Sequence, residues 1–289
     1  MSKLYDVAVV GATGAVGETM MTILEERNFP VGNLYPLASA RSAGKSITFR
    51  GKQVKVTDLA EFDFSQVQIG LFSAVNPEAL AGYTTRNIIA NPNCSTIQML
   101  VALKPIYDAV GIERINVCTY QAVSGTGKEA IEELAGQTAR LLNGQEIECE
   151  VYPKQIAFNV LPHIDTFQDN GYTREEMKLV NPTCVRVPVF FGHSEAVHIE
   201  TTEKISAADA RKLLAAFPGI TVMDERADGG YPTPVTESAG KDPVFVGRIR
   251  EDISHPRGLN LWVVSDNVRK GAALNSVQIA EALISTYLD

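Results

Sequence analysis

Long apolar runs are missing from this chain. No stretch of eighteen consecutive apolar residues occurs among its 289, so no membrane-spanning helix is expected. Cysteine is scarce: Cys94, Cys118, Cys149 and Cys184 are the four, and none belongs to a C-x-x-C pair. A chain of this length does not need disulfide staples, so reduced thiols and a cytoplasmic setting are expected. The four histidines are scattered. His193 and His198 lie five apart on one expected strand and face opposite sides, which disfavours a shared metal, and none is expected. No basic stripe offsets the net charge of −8, which argues against nucleic acid as a partner. An anionic substrate would therefore need local Arg or Lys. No signal segment is expected either, because a strand pattern, Leu4 to Val10, opens the chain almost at once. Repeats and low-complexity tracts are absent.

What the chain does have is apolar content, 45 % of residues, enough for one large domain or two. The Leu4–Val10 strand runs into Gly11-Ala12-Thr13-Gly14-Ala15-Val16-Gly17 and then a helix pattern from Glu18 to Arg27. Strand, glycine turn and helix form a dinucleotide-binding arrangement, in which glycines let the backbone approach a pyrophosphate and the helix N-terminus receives its charge. A structural turn would read the same way, and the spacing is G-x-x-G-x-x-G rather than G-x-G-x-x-G. A second strand, Leu34 to Ala38, ends where an acidic residue would meet the ribose hydroxyl of NAD; Ser39, Arg41, Ser42 and Lys45 stand there instead. A cation with hydroxyls suits a 2′-phosphate, so NADP is expected; a solvated basic loop is the alternative. Ser46–Phe49 and Gln53–Val56 alternate like a hairpin, and Gln68 to Ser73 reads as a buried strand.

The stretch Asn91-Pro92-Asn93-Cys94-Ser95-Thr96 joins a strand pattern at Asn87–Ala90 to an amphipathic helix pattern from Ile97 to Ala109. A cysteine at a helix start is expected to have a lowered pKa, and the free N–H groups there can hold an oxyanion. A small buried cysteine at a cap is the plainer alternative. After the strand Arg114–Gln121 comes Ala122-Val123-Ser124-Gly125-Thr126-Gly127, a loop or a lining for a nicotinamide ring, and a helix at Lys128–Leu142. Thr173 to Lys178 starts a helix pattern with Glu175 and Lys178 one turn apart, the usual spacing of a surface ion pair. In Val185 to Ser194, Arg186 sits amid apolar strand residues, where a guanidinium needs an anion, and His193 follows a glycine, a suitable place for a general base. Taken singly, either could be a satisfied structural residue. Further strands are expected at Glu195–Lys204, Gly247–Arg250 and Leu259–Ser265, and a helix capped by Ser206 at Ala207–Phe217. An amphipathic helix follows Asp266–Gly271 and runs to Leu288.

Two transitions are abrupt. Ala74 passes directly to Val75-Asn76-Pro77 with no helix, although a parallel crossover takes a dozen or more residues. The helix pattern from Thr173 breaks at Val180-Asn181-Pro182. Segments missing after 74 and after 180 are the expected cause.

These motifs together resemble the aspartate-β-semialdehyde dehydrogenase family: GATGAVG, SARS, NPNCST, QAVSGTG, EEMK, RVPVFFGHSE and DNVRKGAALNSVQIAE occur in the family's order over nearly the whole chain. The resemblance implies an α/β fold, with a Rossmann-type parallel-sheet domain (1–94 plus 266–289) and an α+β catalytic and dimerisation domain (95–265). The last helix returns to the first domain. It implies Cys94 as the acyl-thioester nucleophile, His193 as the acid/base, Gln121 and Arg186 for orienting the substrate and holding its carboxylate, and Glu175 near the substrate amine. Lys178 and Asn93 fall near phosphate. Gly11, Thr13, Gly14, Ala15, Val16, Ser39, Arg41 and Ser42, with Ser73, Ser124, Gly125 and Asn267, fall at the cofactor, NADP. The implied reaction joins L-aspartate 4-semialdehyde, phosphate and L-aspartyl 4-phosphate, in a homodimer or homotetramer. An N-acetyl-glutamyl-phosphate reductase is the alternative with the same chemistry. A non-catalytic cofactor-binding protein is a third reading if the segments are truly deleted.

Overall fold

The computed structural model describes residues 3–71 and 91–288. The expected strand at 87–90, the abrupt transition after Ala74, and Ser73 lie outside the described residues. The chain divides into two compact units, Met1–Pro92 with Ala272–Asp289, and Asn93–Gly271.

In the first unit, β1 (Tyr5–Val10) leads through the glycine turn to α1 (Ala15–Glu26) and back to β2 (Val31–Ala38). A small hairpin, β3 (Ser46–Phe49) and β4 (Lys52–Lys55), precedes β5 (Thr57–Asp58) and β6 (Ile69–Leu71). The main sheet has the order β5-β2-β1-β6, and its pairings are parallel. Gly11 adopts φ +73°, and a Cβ on Gly17 would lie 2.2 Å from the Gly11 carbonyl oxygen, so the first and last glycines of the motif are needed for the turn and for helix–strand packing. Helix α1 starts at Ala15, three residues before the expected Glu18, because the Gly14 backbone takes the N-cap position without a side-chain cap. The last helix, α5 (Leu274–Thr286), belongs to this unit, as expected. Its Leu274, Val277 and Ala280 join Val7, Val9, Ile23, Leu24 and Phe29 in one core, and Arg27 clamps Glu281 through two bonds of 2.7 Å.

The second unit is built on a six-stranded mixed sheet. Its elements are α2 (Cys94–Val110), β7 (Ile112–Gln121), α3 (Lys128–Leu142), β8 (Pro182–Arg186), β9 (His193–Thr201), α4 (Ala207–Ala216), β10 (Ile220–Val222), β11 (Val244–Glu251) and β12 (Gly258–Ser265). The strand order is β10-β11-β12-β9-β7-β8, parallel at both outer pairs and antiparallel within. Met99, Leu103 and Ile106 of α2 and Leu214 of α4 pack on Val117, Val197, Ile199, Leu261 and Val263, so both helices cover one face of the sheet. Ser206 caps α4 by accepting from the Asp209 N–H at 3.1 Å.

Two expectations are corrected. The helix expected from Thr173 is a single 3-10 turn, Glu176–Lys178. Thr173 Oγ1 accepts from the Glu176 N–H and the Glu176 carboxylate accepts from the Thr173 N–H, a capping box that would start a helix, but Asn181 precedes Pro182 and takes φ +41°. The strand through Arg186 ends at that residue, because Pro188 lacks a donor, and β9 begins at His193 rather than Glu195.

Candidate active site

The topology of the second unit gathers one set of side chains at one end of the sheet. Strands β7 and β8 are parallel, so their last residues, Gln121 and Arg186, lie opposite one another. Strand β9 runs the other way, with Ser194 opposite Tyr120, which puts His193 at the same end. Helix α2 packs on that face and begins with Cys94.

Asn93 holds the start of α2. Its Oδ1 accepts from the N–H groups of Ser95 (3.0 Å) and Thr96 (3.2 Å), and its Nδ2 donates to Glu175 Oε1 at 2.6 Å. Both ends of the Asn93 amide are therefore engaged in this state, and the phosphate contact expected of it would compete with them. Glu175, 7 % exposed, is the hub of the site. It also accepts from Gln121 Nε2 at 3.2 Å and, through Oε2, from Lys178 Nζ at 2.9 Å. Lys178 lies 3.6 Å from Asp165 as well. The Glu175–Lys178 pair is thus a real ion pair, but its carboxylate also reaches Asn93, the cap of α2.

His193 is fully buried. The Ala122 N–H donates to its Nδ1 at 3.0 Å, which leaves the proton of the neutral ring on Nε2. That Nε2 is buried with no partner among the described residues. Burial first, and then the Arg186 charge, hold the imidazole's pKa well below its usual value. Arg186, 4 % exposed, spends Nη1 on the Ala122 carbonyl at 2.7 Å and stacks over Tyr152, while its buried Nε has no partner among the described residues. A Cβ on Gly125 would stand 3.2 Å from Arg186 Nη1 and 3.5 Å from His193 Nε2. Gly125 therefore leaves open the space that both groups face.

The expected low pKa of Cys94 is overturned. Burial pushes the thiol up to about 12, and the Glu175 carboxylate adds to the rise; Arg186 and the Ser95 N–H oppose it. The helix N-terminus is present, but Asn93 shares the Ser95 N–H with the sulfur and also takes the Thr96 N–H, so the helix start does not outweigh burial. Among the described residues, His193 Nε2–H is a buried donor left without a partner.

The expected cofactor residues divide between the units. In the first, Thr13 Oγ1 donates to Ser42 Oγ at 3.4 Å, linking the glycine turn to the 3-10 turn Ala40–Ser42, with Ser39 and Arg41 exposed beside it. Gly14, Ala15 and Val16 form the start of α1. In the second, Asn267 donates from Nδ2 to Ser124 Oγ (3.0 Å) and accepts the Gly192 N–H on Oδ1 (2.9 Å), so it braces the loop before His193.

Residues 6–88 match the sequence model of the semialdehyde dehydrogenase NAD binding domain, and residues 103–270 that of the semialdehyde dehydrogenase dimerisation domain. The chain belongs to the semialdehyde dehydrogenase family. It is 57 % identical to the aspartate-semialdehyde dehydrogenase of Shewanella violacea, over 99 % of this chain and 100 % of that one. It is 56 % identical to the enzyme of Legionella pneumophila, over 100 % and 98 %. Aspartate semialdehyde dehydrogenase II of Vibrio cholerae, solved in complex with ASA, superposes with a TM-score of 0.95 at 53 % identity, covering 99 % of this chain and 100 % of that one. The first of these alignments runs over 339 positions, whereas this chain has 289 residues, so at least fifty positions of that semialdehyde dehydrogenase have no counterpart here.

Sequence reasoning overlooked three parts of the site. Gly271 closes the DNVRKG motif, and a Cβ there would lie 2.8 Å from the Cys94 Cβ; the motif was visible, its reason was not. Ala122 serves His193 and Arg186 through its backbone, which leaves no mark in a sequence. Gln98, one turn after Cys94, donates to the His193 carbonyl at 3.4 Å and reads in sequence as any polar helix residue.

Proposed function

We propose that this semialdehyde dehydrogenase interconverts L-aspartate 4-semialdehyde plus phosphate and L-aspartyl 4-phosphate, with NADP, through a thioester on Cys94, in the cytoplasm. The observation that carries the reading is the convergence, in one unit, of a helix-start cysteine with a neutral histidine donor and a half-paired buried arginine. Arg186 Nε, unpartnered, suits a substrate carboxylate. Glu175, already an acceptor for three donors, suits a primary ammonium, and this favours a free amino acid over an N-acetylated one. Docking of that ammonium offsets the Glu175 charge that keeps Cys94 protonated. The thiol gives its proton to solvent, its sulfur adds to the aldehyde carbon, and His193 Nε2–H supports the oxygen as it gains charge. When bound, NADP would supply the hydride acceptor that the Cys94 adduct needs to become the thioester. Phosphate, neutralised by Lys178, cleaves that thioester to the acyl phosphate and frees the thiol. Splitting the reaction at a covalent intermediate replaces one hard step by two easier ones.

The first unit fits the cofactor's polar end. At Gly11 nothing lies within 4 Å of a Cβ, which leaves room for a pyrophosphate, and the exposed Ser39 and Arg41 after β2 support a 2′-phosphate partner. The relative solved with ASA supports the substrate assignment.

Two copies of the chain are proposed to pair through the uncovered face of the second unit's sheet. Cys118, Tyr120 and Ala196 are exposed there, within the matched dimerisation domain. The unmatched positions of the relatives are assigned to segments after Ala74 and after Val180. Cys94→Ala should abolish turnover of aspartate semialdehyde while leaving NADP binding unchanged by fluorescence titration; retained turnover would remove Cys94 from the mechanism.

A further inference from the structure

Beneath the catalytic side chains lies a buried polar cluster that the mechanism does not use. Glu195, two residues after His193 on β9, is completely buried. It faces the same side as His193 and the core residues Val197 and Ile199, toward α2, between Thr119 of β7 and Val263 of β12. Ser265 lies opposite His193 on β12. Both carboxyl oxygens of Glu195 lack a partner among the described residues, as do Gln98 Oε1, Ser95 Oγ and Ser265 Oγ.

These unpartnered atoms constrain one another. A buried carboxylate beside no cation takes up a proton rather than bear the loss of water as a charge. The Gln98 amide cannot be turned round, because its Nε2 faces the His193 carbonyl, an acceptor. Its Oε1 is therefore a buried acceptor without a donor among the described residues, and a protonated Glu195, within reach of the same amide, would be one. Loss of water pushes the Glu195 carboxyl well above the usual carboxylate range, and the nearby Gln98 amide offsets this in part. The titratable groups facing it from other elements are Cys94 of α2 and Cys184 of β8, both of which its charge would drive further toward the thiol. An ionised Glu195 would thus oppose the thiolate that the chemistry needs.

We propose that Glu195 is a positioning residue, held as an un-ionised carboxylic acid, which through Gln98 joins the helix carrying Cys94 to the strand carrying His193. The proposal rests on the reading of Cys94 and His193 given above. It deepens that reading by naming what keeps nucleophile and proton donor in register.

The test uses the full-length enzyme in three forms: wild type, Glu195→Ala and Glu195→Gln. Glu195→Ala should lower kcat about tenfold or more with little change in KM, as expected when reacting groups shift relative to one another. Glu195→Gln, which keeps an uncharged group of the same shape, should restore kcat to within about twofold of wild type. The melting temperature supplies a second readout. A carboxyl whose folded pKa is raised costs stability increasingly as pH rises above the unfolded carboxylate range, so the advantage of Glu195→Gln over wild type should grow with pH from about 4.5 upward. An infrared difference spectrum, wild type minus Glu195→Gln at neutral pH, should contain the carbonyl stretch of a protonated carboxylic acid. If Glu195→Ala does not fold, Glu195→Met, of similar volume and without hydrogen bonds, replaces it.

A tenfold loss in Glu195→Gln would overturn the proposal, as would full activity in Glu195→Ala or Glu195→Met. So would a stability difference that stays flat with pH, or a missing acid band. Cys94→Ala as a control separates the two readings: activity in that variant sinks the nucleophile assignment, while the infrared and melting readouts still judge Glu195.

Discussion

Glu175 should hold Cys94 as the thiol, and its removal should make Cys94 more reactive before any substrate is present. The thiol is pushed from an ordinary value near 9.0 up to about 12, first by burial and next by the Glu175 carboxylate. Three units correspond to about a thousandfold less thiolate, on the order of 4 kcal/mol. At pH 8 roughly one sulfur in ten thousand would be ionised. A neighbouring charge accounts for about one to three units of such shifts. Glu175→Gln keeps an acceptor for Asn93 Nδ2 and removes the charge, so the thiolate fraction should rise about tenfold or more. Freeing Lys178 from its partner works in the same direction. The assay is the rate of iodoacetamide modification at residue 94, followed by peptide mass spectrometry from about pH 7 to 10, where only the thiolate reacts. Wild type should show a rate rising tenfold per pH unit across that range without a plateau. Glu175→Gln should run parallel and about tenfold higher, while its turnover of substrate falls for want of an ammonium site. Equal rates in the two proteins, or a wild-type sulfur that reacts at neutral pH like a small-molecule thiol, would refute the electrostatic argument.

Other outcomes follow from the same geometry. Arg41→Ala should weaken NADP binding about five- to thirtyfold, the worth of one charge-assisted contact at an exposed site, and leave NAD binding unchanged by the same titration. Gly125→Ala should cut kcat about tenfold to a hundredfold with little change in melting temperature, because its Cβ enters the space between Arg186 Nη1 (3.2 Å) and His193 Nε2 (3.5 Å). Native mass spectrometry of the protein isolated from its own cells should give subunits heavier than the 31.3 kDa of this chain, in pairs. A mass equal to this chain would show the two segments to be truly absent, and single subunits would exclude the sheet-face dimer.

Local chemistry made much of this protein legible in its amino acids. Alternation and glycine spacing marked β1, the turn and α1, because a strand feeding a helix through so tight a turn needs residues without side chains at Gly11 and Gly17. The Asn93-Cys94 helix start and the Ser206 cap were readable for a similar reason: capping is an interaction between residues two or three apart. The short helical motif after Thr173 misled, because its capping box is a genuine local signal that Asn181-Pro182 cuts off within one turn. What the order of residues could not settle was the charge state of the site. A helix start argues for an ionised sulfur. Burial and Glu175, at a sequence distance of 81 residues, argue the other way, and those are facts of packing. The same holds for His193, whose proton is assigned to Nε2 by the backbone N–H of Ala122, just past the end of β7, and for Glu195, polar in sequence yet sealed in the core. Which residue types are present follows from the chain alone; which of them carry a proton depends on what the fold places beside them, since solvation and charge act through space and not along the backbone.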